Sequence, residues 1–367
     1  MKKANSKSAL AVLVLYAAMS VVSGILTGLI TGIGLVFVMN DRGLFTVMNG
    51  DLARNFTMML NRLLESELVD FILLGSVLGS AGGMLVGNLI MRKILPERNN
   101  IPIEKKTLSA PDILLVALMA FGLWGVGAFI GNLPEWFGFS VENPLYSSGS
   151  KMMILFNIYA IFGAPVLEEL AFRRTLLNHL HPYGEVPAAF MSALLFGLIH
   201  GNASQFMLAF CLGLLLATVY QRTGRVIYTI ALHFMINLTA TIPDFFAMAD
   251  IDIMTGWYIV VGTLVVAGIV ILILFRKKEF LSLSKSGEPD PNAAEFKNVG
   301  VRIAVIGGTI LVIGYEIFML FSSLSYDYGP MNVVLRLIPI FCSLAMIILT
   351  VKLVGKYPAE QKQPEEL

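Results

Sequence analysis

The sequence is short of charge. Of its 367 residues, 14% are Asp, Glu, Lys or Arg, where a soluble domain carries about 25%. Two cysteines, four histidines and three tryptophans complete the scarcities. So few cysteines exclude a disulfide-built framework. Both of them, Cys211 and Cys342, lie inside apolar runs, where cysteine acts as a small hydrophobe. No HExxH occurs, which removes the signature of the soluble zinc proteases. A formal net charge of +1 offers no bulk field to a nucleic acid, and none is expected as a partner. What is abundant is apolar: 56% of the chain, with a mean hydropathy of +0.77. One soluble core could not hide that much apolar surface, so the chain reads as an integral membrane protein.

A membrane span needs about 20 mostly apolar residues. Ten runs qualify: 9–38, 71–91, 113–132, 152–180, 187–201, 204–220, 226–247, 254–275, 300–321 and 331–353. The fourth is overlong and the fifth short, so the expectation is an all-α, polytopic bundle of about 8–10 spans. Basic residues test the count. Lys2, Lys3 and Lys7 precede the first run; Arg92, Lys93, Arg98, Lys105 and Lys106 follow the second. Arg222 and Arg225 follow the sixth, Arg276, Lys277, Lys278 and Lys285 the eighth, and Lys352 and Lys356 the tenth. Intervening connections are poorer in Lys and Arg, with Arg42, Arg54, Arg62 and Lys151 as exceptions. The alternation puts both termini in the cytoplasm, as suits a bacterial cell membrane. The basic MKKANSKS start leads into a run too long for a signal-peptide core, so it reads as a retained anchor.

Glycines recur every four residues at Gly24, Gly28 and Gly32, and again at Gly75, Gly79, Gly83 and Gly87. That spacing gives one small-residue face for helix packing. The polar stretch 284–299 is the best internal boundary. It divides N-terminal helices (1–145), a core (146–247) and a further helix (248–283) from a C-terminal pair and tail (300–367). In that pair, Glu316 and Arg336 are expected to form a structural salt bridge.

Charges inside spans are costly, about 2.5–3.5 kcal/mol each at the bilayer centre, and so mark functional candidates. LEELAFRR (167–174) holds four. Residues four apart share a helix face, so Glu169 pairs with Arg173. Glu168 has Phe172 at that position and no partner on its own helix. A carboxylate without a cation, kept from bulk water, is suited to take a proton from water. His200 ends FGLIH one turn after Phe196, and His233 and Asn237 share a face in HFMIN. A hairpin turning near Tyr183–Gly184 sets Glu168 and His200 at one depth, about 20–25 Å from the turn. His179 and His181 lie near the turn and read as solvated. A carboxylate and an imidazole can hold and deprotonate a water; a second imidazole and an amide can stabilise an oxyanion. The same Glu168, His200 and His233 are alternatively a ligand set for Zn²⁺ with an open position.

EELAFR, FGLIH and HFMIN, in that order and with YQRTG (220–224) before the third, resemble the motifs of the CPBP family of intramembrane proteases. These are the CAAX prenyl proteases and the bacteriocin-processing or self-immunity proteins, also called ABI. The resemblance covers about 150–245 and implies peptide-bond hydrolysis in a conical cavity between helices. It implies that Glu168 and His200 activate water, that His233 and Asn237 stabilise the oxyanion, and that Glu169, Arg173 and Phe196 support them. The family is named for a metal, while a metal-free glutamate mechanism is equally allowed. A peptide or lipidated peptide is the implied substrate, and membrane lipids the surroundings. Two other readings compete: a non-catalytic scaffold or immunity protein, which the intact motif residues disfavour, and a transporter, for which no internal repeat is found.

Overall fold

The computed structural model describes residues 22–30, 32–34, 36, 68–94, 106–133, 152–181, 185–200, 203–249 and 251–275. The expected spans 300–321 and 331–353, and with them Glu316 and Arg336, lie outside the described residues, as does the polar stretch 284–299.

Every regular element among the described residues is helical. After a helical stretch at 22–34 come α1 (Leu68–Ile94), α2 (Ala110–Gly131), α3 (residues 153–180), α4 (Glu185–Leu198), α5 (Ala203–Thr223), α6 (Val226–Met248) and α7 (Met254–Phe275). Six of these helices are long and apolar enough to cross a membrane; α4, with its apolar stretch Ala188–Gly197, is shorter. The protein is a multi-pass membrane protein built as a polytopic helical bundle.

The ends follow from local chemistry. Ser109 caps α2, its hydroxyl accepting from the Asp112 N–H at 3.4 Å, with Pro111 in the first turn where no N–H is needed. Between α5 and α6 only a tight connection remains. Gly224 takes φ 59°, a left-handed conformation that suits glycine, and its N–H bonds the Tyr220 carbonyl at 2.8 Å.

Two buried clusters among the described residues matter most for the site, with a smaller one of Leu177, Ala189, Ala217 and Tyr220 beside them. One joins α3 and α4 to α1 and α5 through Phe172, Leu176, Leu195, Phe196, Met84 and Ala209. The other joins α2, α5 and α6 through Val116, Met119, Leu216, Val219 and Ile236, with Leu264 of α7 beside it. α5 is the most enclosed span and α7 the most exposed, so α5 sits centrally and α7 on the rim. Gly122 of α2 and Gly268 of α7 meet backbone to backbone; a Cβ on either would strike the other helix. The glycine ladders behave differently from each other. Gly79 faces Thr27 and Ser23, and the Thr27 hydroxyl donates to the Gly75 carbonyl at 3.1 Å, as a close-packing face should. Gly24, Gly28 and Gly32 meet no described atom within 4 Å, because the neighbouring face with Ser23, Leu26 and Thr27 is turned to α1.

α3 departs from the regular helix the sequence suggests. It widens into π-helix at Tyr159–Gly163 and again at Leu170–Leu177. Pro165 lacks an N–H and crowds the carbonyl four residues back, and the first wide turn lies where that conflict falls. In the second, the Thr175 hydroxyl lies 3.0 Å from the Leu170 carbonyl five residues before it. Such bulges are frequent at functional sites, and here they bracket Glu168 and Glu169.

Candidate functional site

Two faces with four-residue spacing build the site. On α6 the face carries Thr229, His233, Asn237 and Thr241; on α4 it carries Ser192, Phe196 and, just past the helix end, His200. Between them α3 presents Glu168, Glu169 and Arg173. All three are buried, Arg173 and Glu169 completely.

The pair expected within α3 is present: Arg173 Nε lies 3.1 Å from Glu169 Oε2. Glu169 also has a partner that the sequence reading missed. Its other oxygen, Oε1, lies 3.1 Å from His233 Nδ1. Glu168 has no partner on its own helix, as expected; its Oε2 is 3.8 Å from His233 Nε2.

These contacts fix where protons can sit. A carboxylate only accepts, so the bond to Glu169 puts a proton on His233 Nδ1. On the far side of the ring, His233 Nε2 faces Glu168 Oε2 at 3.8 Å. His200 is fixed differently. Its Nδ1 lies 2.9 Å from the Phe196 carbonyl, which can only accept, so Nδ1 carries a proton and Nε2 is left to face the site.

Phe196 is the hub. Its ring meets His200, His233 and Phe172 edge-on at centroid distances of 5.3, 5.6 and 5.3 Å. The Arg173 guanidinium lies over its face, 4.7 Å from the centroid. Asn237 reaches back to α3, where its Nδ2 donates to the Ala160 carbonyl at 2.7 Å. Ala160 lies in the first wide turn, where α-helical bonding is broken. An amide nitrogen has two protons, so this bond leaves one to donate elsewhere.

The structure thus brings Glu168, His200, His233, Glu169, Arg173 and Phe196 together, with Asn237 one turn along α6. His181 is corrected. Rather than only solvated, it is half-buried, with Nδ1 3.0 Å from Gln221 Oε1. The side chain of His179 lies outside the described residues. Ser192 and Thr229, both completely buried, went unread. The signal was there, since each lies four residues before a motif residue.

A zinc ion would need three donors converging on one point. Among the described residues no three His, Cys, Asp or Glu side chains are grouped to hold one. The Nδ1 bonds of His233 to Glu169 and of His200 to a carbonyl would leave the two Nε2 atoms as the metal-facing ones, but with Glu168 these are not grouped closely enough here to hold an ion.

Comparison with known proteins agrees with the motifs. Residues 150–239 match the family described as type II CAAX prenyl endopeptidase Rce1-like. The resemblance holds over that segment. It includes the EELAFR, FGLIH and HFMIN motifs and hence every candidate residue named above. Over 130 residues the chain is 25% identical to the Bacillus subtilis (strain 168) protein named "Putative membrane peptidase YdiL", covering 31% of this chain and 53% of that one. The match therefore spans about half the length of that relative. No solved structure matches the chain.

Proposed function

We propose that this protein is an endopeptidase that hydrolyses a peptide bond inside the membrane, with water as the nucleophile. An association with CAAX-type proteases in general rests on the family match. The observation that carries the mechanism is the division of labour between adjacent glutamates: Glu169 is tied to Arg173 and His233, while Glu168 faces the imidazoles without a cation on its own helix.

Glu168 takes a proton from a water that also hydrogen-bonds to Nε2 of His200. The hydroxide attacks the carbonyl carbon, and the C=O electron pair moves onto oxygen. His233, donating from Nε2, and Asn237, through its second amide proton, hold that oxyanion. The C–N bond then breaks, and Glu168 returns its proton to the leaving amine. Atoms and charge balance with protein groups and one water.

The substrate proposed is a peptide or lipidated peptide, reached within the bilayer. The distribution of basic loops supports cytoplasmic termini in a bacterial membrane. The test is cleavage of a quenched peptide library, including farnesylated peptides, by purified protein in detergent. Wild type is run beside Glu168→Ala and His200→Ala, with and without chelator. Cleavage by wild type alone supports the reading, and loss of it with chelator would mean a metal is needed. Equal cleavage in all three samples would mean a contaminant. No cleavage in any would favour a scaffold.

A further inference from the structure

α4 sets Ser192, Phe196 and His200 one turn apart on a single face, yet Ser192 stands outside the three motifs. It is completely buried. Its hydroxyl donates to the Phe172 carbonyl at 3.1 Å and accepts from Arg173 Nη1 at 3.2 Å. A hydroxyl has one proton. Spending it on Phe172 turns the lone pairs toward Arg173, so the serine rotor is set from both sides.

Arg173 is then held at three places: Nη1 by a hydrogen bond to Ser192, Nε by its charge against Glu169 Oε2 at 3.1 Å, and its face by the Phe196 ring. Neither Nε nor Nη2 has a hydrogen-bond partner among the described residues, so the bond to Ser192 is the directional one that resists a swing of the fork. Glu169 is next in line. Its Oε2 is drawn to the Arg173 charge while its Oε1 meets His233 Nδ1.

We infer that Ser192 is a positioning residue for His233, acting through Arg173 and Glu169. It touches no reacting atom. It stops the guanidinium from turning and so keeps the Glu169 carboxylate aimed at the ring that holds the oxyanion. This role rests on the peptidase reading above.

The test pairs kinetics with a measurement that needs no turnover. Ser192→Ala removes the hydroxyl; Ser192→Cys keeps the volume with weak hydrogen bonding; Ser192→Thr keeps the hydroxyl. Small misplacements of a reacting group cost about 100-fold. The expected result is a kcat about 10–100-fold lower in the Ala and Cys variants with KM little changed, and recovery with Thr. In a Glu169→Gln, Arg173→Met background, Ser192→Ala should have no further effect on kcat, because the chain it acts through is gone. A serine that only packs would give additive losses, and that would overturn the inference. Nitrogen-15 spectra of the histidine rings, with His233 assigned by its absence in His233→Gln, form the second arm. Ser192→Ala should shift the His233 Nδ1 signal in the direction Glu169→Gln does and leave His200 in place. An unmoved His233 signal overturns the inference even if wild type cleaves nothing, the outcome that would fell the peptidase reading alone.

Discussion

Replacing Glu169 with glutamine separates what the buried pair does for the fold from what it does for His233. The substitution keeps the shape and removes one charge. Arg173, completely buried, then loses the carboxylate 3.1 Å from its Nε. At an effective dielectric of about 20, that attraction is worth about 5 kcal/mol, and breaking a buried pair from one side costs about 3–5 kcal/mol. Glu169→Gln should therefore lower stability by about that much, read as the denaturant or thermal midpoint in detergent. Adding Arg173→Met removes the stranded cation. With no buried charge left in the pair, its desolvation cost is gone too, so the double variant should regain most of the loss. The kcat should recover only in part and stay measurably below wild type, because His233 has lost the carboxylate that held its Nδ1. If the double variant is as unstable as the single one, the charge bookkeeping is wrong. If it is stable and fully active, Glu169 does nothing for His233.

Three other outcomes follow from the contacts. Asn237→Ala removes the donor proposed for the oxyanion and strands the Ala160 carbonyl; kcat should fall about 100-fold or more, and stability by about 1–3 kcal/mol. Gly268→Val puts a side chain into the Gly122 backbone, so α2 and α7 should separate, read as a lowered midpoint; an unchanged midpoint would refute the close crossing. Gly224→Ala strains a left-handed turn and should cost about 1–2 kcal/mol without changing KM.

Apolar length told most of the fold. The run 254–275 coincides with α7 (Met254–Phe275), and 226–247 with α6 to within a residue. The start of α2 was missed by three residues, because Ser109 and Pro111 are polar or neutral to hydropathy while being strong start signals. Glu169 and Arg173 were legible as a pair because four-residue spacing is a local rule. The bond from Glu169 to His233 was not, since it joins residues 64 apart and depends on how α3 and α6 pack. Nor were the π-helical turns of α3, of which only the first lies where Pro165 conflicts with the helix it sits in. Asn237 was legible as a polar group on the right face, but its bond to the Ala160 carbonyl depends on one of those turns.

The central claim is that Glu168 takes the proton from water, while Glu169 is tied into the buried pair with Arg173 and holds His233. Glu168→Gln, measured for stability and kcat/KM in the same preparation, tests it most directly. Glu168 is 8% exposed and its Oε2 stands 3.8 Å from His233 Nε2, beyond hydrogen-bond range, so the amide should fit without loss of stability. The account predicts an unchanged or slightly raised midpoint with cleavage reduced by about 100-fold to 10,000-fold. Retained cleavage, or a midpoint that falls as far as in Glu169→Gln, would contradict it.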